Sequence, residues 1–101
     1  VYLDEVDSSI TQDLRYTYNE NFLGRKVPGY RSNRAILTKD AAKALSAAQQ
    51  DFLKDGYSIV VYDAYRPQKA VDSFSMWSRD INDQKAKERY YPSVNKADIF
   101  K

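Results

Sequence analysis

The chain has 101 residues, 43% apolar and 30% charged, with a net charge of +2 and no histidine or cysteine. That length holds one small domain, and so slight a charge does not by itself direct the chain to nucleic acid or an anionic membrane. Without histidine or cysteine the usual nucleophilic triads have no base, and a zinc site built by this chain alone lacks its usual donors.

Residues 1–11 are polar and read as an extended arm. The opening Val1-Tyr2-Leu3-Asp4-Glu5-Val6 does not read as a signal peptide. The lack of an initiator methionine leaves room for one removed ahead of it, so cytoplasm and periplasm both stay open. Leu14, Tyr16 and Tyr18 alternate with Arg15 and Thr17, which predicts a short half-buried strand. Asn19 to Gly24 reads as a turn or loop, Pro28-Gly29 as a second turn, and Ala35 to Leu37 as short, apolar and ambiguous. Thr38 is placed to cap a helix running to about Asp55, with Ala41, Leu45, Ala48 and Phe52 on its apolar stripe and Gly56 as a left-handed stop. Lys39, Asp40, Lys43, Gln50 and Lys54 form its solvated face.

Tyr57 to Ala64 reads as the best strand, apolar on both faces and therefore central in a sheet. Its run from Ile59 to Tyr62 is the longest apolar stretch, far short of a membrane span. Pro67 suits the first position of a second helix, on which Ala70, Val71, Phe74 and Trp77 form the inner stripe and Trp77 anchors the core. A loop at Asp80 to Gln84 and a helical turn at Lys85 to Arg89 follow, ended by Pro92. Ile99 and Phe100 are apolar where termini are usually polar, and read as packing against something that follows. The nine tyrosines suit either the half-wet edge of a small core or the lining of a polar cleft.

For chemistry, the acidic residues are scattered without a calcium-loop pattern. The three glycines form no phosphate-cradling loop. The basic and aromatic residues around Arg15, Tyr16, Tyr30, Arg31 and Arg34 are interrupted by acids, against a nucleic-acid stripe. Arg66 is the informative residue. It stands where an apolar strand turns into a proline-headed helix, so its guanidinium is held at the rim of a sheet. Spacing leaves two readings open: a surface arginine paired with Asp63 or Asp72, or an anion clamp. A guanidinium presents a rigid fork of N–H donors and stays charged at any working pH. It can bind a carboxylate or the oxyanion that develops when an amide carbonyl is attacked. Asp63 is close enough in sequence to orient it.

The run Tyr62-Asp63-Ala64-Tyr65-Arg66-Pro67, continuing into Ala70-Val71, Phe74 and Trp77, resembles the signature of the D-alanyl-D-alanine dipeptidases, zinc peptidases of the vancomycin-resistance type. Asn21-Phe22 with Gly24, Gly29-Tyr30, Asn33-Arg34 and Tyr90-Tyr91-Pro92 match in family order and spacing, from about Tyr2 to Lys101. Ala64 stands where the family commonly has glycine. The resemblance implies an α+β fold, a small mixed or antiparallel sheet with helices packed on it. Residues 1–101 would be the N-terminal part of a single peptidase domain, an incomplete half of that fold. It implies hydrolysis of D-Ala-D-Ala to D-alanine in cell-wall precursor metabolism. The family's zinc ligands and glutamate base fall beyond Lys101, so the resemblance carries no metal ligand onto this chain. Arg66 carries over as the residue that stabilises the tetrahedral intermediate, with Asp63 and Tyr65 as supporting neighbours and Tyr16 and Tyr18 bordering the cleft. The expected partners are the D-Ala-D-Ala dipeptide and a missing C-terminal half, supplied as a second chain unless the segment dimerises or swaps. On its own this segment is expected to be inactive. The alternative is a metal-free module that uses Arg66 and the tyrosines to hold a peptide carboxylate or a partner protein without catalysis.

Overall fold

The structure, a computed structural model, describes residues 1–99. In chain order it contains α1 (Leu3–Val6), β1 (Thr11–Gln12), a 3₁₀ turn (Arg15–Thr17), α2 (Lys39–Lys54), β2 (Val60–Val61), α3 (Gln68–Arg79), α4 (Lys87–Tyr90) and a second 3₁₀ turn (Lys96–Asp98). It is a mixed α+β chain that forms two compact units, Val1–Leu14 with Ser32–Tyr65, and Arg15–Arg31 with Arg66–Lys101.

The first unit is built around α2. The Thr38 hydroxyl accepts from the Ala41 N–H at 3.2 Å, which satisfies one donor of the first turn. Gly56, at φ 82°, takes the left-handed conformation that ends the helix, as the sequence predicts. The buried stripe is shifted from the expected one. Ala42 and Gln49 are fully buried, whereas Ala41 is exposed and Phe52 is 48% exposed. Gln49 explains the shift. Its amide donates to the Ser9 carbonyl and to Ser58 Oγ and accepts from the Ile59 N–H at 2.8 Å, so a polar side chain holds the inward position. A buried amide is tolerated where its bonding capacity is used in this way.

β1 and β2 pair in parallel, Thr11 opposite Val60 and Gln12 opposite Val61. The sheet expected to be mixed or antiparallel is therefore a two-stranded parallel pair, with one isolated antiparallel bridge between Tyr2 and Ile36. The intervening α2 is the physical reason, since parallel strands need a long crossover and a helix supplies it. Nor is the Tyr57 to Ala64 segment a central strand. Val61 is buried, but Val60 is 46% and Tyr62 53% exposed. The core of Leu3, Ile10, Leu14, Ala35, Ala42 and Val61 covers one face of β2 only. The expected N-terminal arm is docked as well. Leu3 donates its N–H to the Ala35 carbonyl and is fully buried, and Arg34 binds Asp4, so long-range contacts override a polar local composition.

The second unit packs α3 onto the loops at 15–31 and 80–99. Ala70, Phe74 and Trp77 turn inward as expected, with Leu23, Val27 and Tyr91 completing the core, while Val71 is 42% exposed. Burying a Phe or Trp side chain contributes about 2–3 kcal/mol, so these rings dominate the unit's stability. Leu14 to Tyr18 is not a strand. Asn21 is buried and its Nδ2 donates to the carbonyls of Arg15, Tyr18 and Arg25, which winds that segment into a turn by taking carbonyls a ladder would need. Lys96 is 4% exposed, donates Nζ to the Asp80 and Asp83 carbonyls, and lies 4.2 Å from the centre of the Trp77 ring. Ile99 packs partly buried on this core, so its partner lies within the chain. Phe100 lies outside the described residues.

Candidate functional site

Arg66 opens the second unit's return segment, at the head of α3. Pro67 follows it with φ −59°, the value its ring imposes, and α3 begins at Gln68. The corner is braced from behind by Gly29, whose φ of +103° and lack of a side chain let its backbone lie against Pro67, Lys69 and Ala70. The direction in which the chain enters the helix is thus set by steric contact.

Arg66 is exposed, and its guanidinium lies over two rings. Its Cζ is 5.1 Å from the centre of Phe74 and 5.4 Å from that of Tyr16. Both are cation–π distances, each typically worth about 0.5–1 kcal/mol at an exposed site. The two rings are tilted by 55° with centres 5.0 Å apart. Tyr16 stacks on Tyr30 at 6.1 Å and meets the edge of Phe22 at 6.0 Å. Phe22 in turn packs against Phe74 and Trp77, and Trp77 meets Tyr91 edge-on. Phe22, Gly29-Tyr30, Phe74, Trp77 and Tyr91, separate in the sequence, therefore meet in the cluster that carries Arg66.

The other expected site residues fall as follows. Tyr16 lies beneath Arg66. Tyr18, in the same unit, gives its carbonyl to Asn21 and leaves its side chain 38% exposed. Asp63 and Tyr65 belong to the first unit. Asp63 is half-buried there, and Tyr65 is 59% exposed with its N–H donated to the Ile36 carbonyl at 2.9 Å. Asp72, the other carboxylate considered for Arg66, accepts from Gln68 Nε2 at 2.9 Å. The sequence marks Phe74 as core and Tyr30 as part of a matched motif, with no role near Arg66; the signal it does offer is an arginine at a proline-headed corner with an aromatic further along the same helix.

Arg34 is a second arginine with an aromatic contact, and it also grips a carboxylate. Its Nε donates to Asp4 Oδ2 at 2.8 Å, its Nη2 to Asp4 Oδ1, and its Cζ sits 3.8 Å from the centre of the Tyr2 ring. The hydrogen bond from Arg34 pulls the Asp4 carboxyl below the usual carboxylate range. That pair fastens α1. Among the described residues no group of three or more His, Cys, Asp or Glu side chains could hold a metal ion, and no helix is long and apolar enough to cross a membrane.

Comparison with known proteins agrees with these motifs. The model of a family described as D-Ala-D-Ala dipeptidase matches residues 1–100. The chain is similar to the D-alanyl-D-alanine dipeptidase of Streptomyces coelicolor, 39% identical over 98% of this chain and 49% of that protein. It is also similar to that of Enterococcus faecalis, 39% identical over 99% of this chain and 50% of that protein. The Escherichia coli dipeptidase is 38% identical over 57% of this chain and 29% of its own length. The chain spans about half the length of the first two of these relatives. With a match running over residues 1–100, the chain belongs to the D-Ala-D-Ala dipeptidase family.

Proposed function

We propose that this chain is the N-terminal part of a single peptidase domain, one half of a zinc-dependent dipeptidase that hydrolyses D-Ala-D-Ala to D-alanine. The observation that carries this is the family match over residues 1–100 together with a span of about half the relatives' length. Zinc, which the family uses, finds no donor set among the described residues. Its ligands and the general base would come from the C-terminal half, as part of the same protein or as a second chain.

What this chain contributes is Arg66. When water attacks the dipeptide carbonyl, negative charge gathers on its oxygen, and a fixed guanidinium stabilises that charge more than it stabilises the ground state. Its position at a braced corner supports this role, because a donor already in place needs no reorganisation as charge develops. Asp63 and Tyr65, just before that corner, act as supporting neighbours, and Tyr16 and Tyr18 border the dipeptide.

Supplying the C-terminal half and zinc to this chain tests the reading. D-alanine should be released by the pair and by neither part alone. Hydrolysis by this chain alone would contradict it. So would calorimetric binding of D-Ala-D-Ala to metal-stripped chain with no hydrolysis by the pair, the behaviour of a binding module.

A further inference from the structure

The geometry points to Tyr16 and Phe74 as positioning residues for Arg66, acting through cation–π contact; this rests on the proposed role of Arg66. An arginine side chain is long and rotamer-rich, so a rigid backbone corner alone does not fix its charged end. The two rings do. They meet at 55° with centres 5.0 Å apart and form a trough whose walls lie 5.4 Å and 5.1 Å from the guanidinium carbon. The negative face of each ring attracts the cation.

Both walls are themselves packed. Phe74 is 5% exposed on the inner face of α3. Tyr16 is stacked on Tyr30, met edge-on by Phe22, and held at its own carbonyl by the Val27 N–H at 2.9 Å. The contact steadies the guanidinium where charge develops in the transition state, so its loss should lower kcat and leave KM nearly unchanged.

The test has two arms. In this chain, NMR of the Arg66 δ and ε protons should show upfield ring-current shifts. These should relax toward random-coil values in Tyr16→Leu and in Phe74→Leu, and persist in Tyr16→Phe, which keeps the ring. In the complete enzyme, each leucine substitution should lower kcat by roughly two- to fivefold. Neither should lower it further in an Arg66→Ala background. Tyr16→Leu, at a half-buried position, keeps the test open if Phe74→Leu does not fold. Arg66 shifts unmoved by the leucines, or losses that simply add to that of Arg66→Ala, would overturn the inference. If Arg66→Ala itself leaves turnover unaltered, the functional reading has failed. If turnover depends on Arg66 but ignores both leucines, the cradle alone has failed.

Discussion

Gly29 lies directly against Pro67: a Cβ added to the glycine would stand 3.1 Å from the proline's Cβ and 3.0 Å from that of Lys69. The contact joins the turn at 28–30 to the first turn of α3, and so braces the corner that carries Arg66. Gly29 also sits at φ +103°, where a side chain is strained whatever the space. Gly29→Ala should therefore lower stability by more than about 1 kcal/mol. Urea unfolding of the chain measures this, and an unchanged midpoint would show that the corner has slack.

Gln49 is the polar keystone of the first unit. Its amide joins α2 to Ser9, Ser58 and the backbone at Ile59, with no exposure of its own. Gln49→Leu preserves volume but leaves the Ile59 N–H without its acceptor. A half-buried donor so stranded costs about 1 kcal/mol. Denaturant unfolding should show a loss of that size, and amide exchange at Ile59 should quicken; a neutral result would mean water replaces the glutamine at no cost.

Acid should weaken the fold through Asp7. Hydrogen bonds from the Ser9 hydroxyl, the Ser46 hydroxyl, the Ser9 N–H and the Gln50 amide pull its carboxyl from 3.8 down to about 2. The folded chain thus prefers the ionised form, so this stabilisation is complete above the unfolded value near 3.8 and is lost as pH falls toward about 2. Asp4 and Asp83, each held low by an arginine hydrogen bond, act in the same direction. Unfolding midpoints followed through that window should fall, and Asp7→Asn should reduce the slope. An identical slope in the variant would remove Asp7 from the account.

Lys96 should matter more than an exposed lysine usually does. Burial pushes its pKa down, yet it donates to the Asp80 and Asp83 carbonyls, beyond the end of α3. Lys96→Met keeps the apolar stem over Trp77 and strands those carbonyls, with an expected loss of about 1–3 kcal/mol. A stability equal to the parent's in urea unfolding would argue that the carbonyls are readily hydrated.

The local rules of helix formation made much of this chain legible. Thr38, Gly56 and Pro67 mark helix ends by backbone chemistry that acts within a few residues; Thr38 and Gly56 lie where the sequence places them, and Pro67 stands one residue ahead of the first helical position expected of it, at the cap. What misled were features settled at long range. Leu14, Tyr16 and Tyr18 alternate like a strand, but Asn21 collects the Arg15 and Tyr18 carbonyls and curls the segment. The apolar run at Ile59 to Tyr62 suggests burial on both faces, yet among the described residues β2 pairs with β1 alone and has its core on one side. At the site, Arg66 stood out from its corner and its motif. The rings beneath it did not, because Tyr16 and Phe74 are far apart in sequence and each has an ordinary reading as core.

The most direct measurement concerns Arg66 itself. In the complete enzyme with zinc, Arg66→Ala should lower kcat for D-Ala-D-Ala by roughly a hundredfold or more, the loss typical of removing one oxyanion donor. Arg66→Lys should recover only part, because a point charge does not reproduce the planar fork. Turnover of the alanine variant equal to the parent's, with zinc content unchanged, would contradict the role assigned to this arginine.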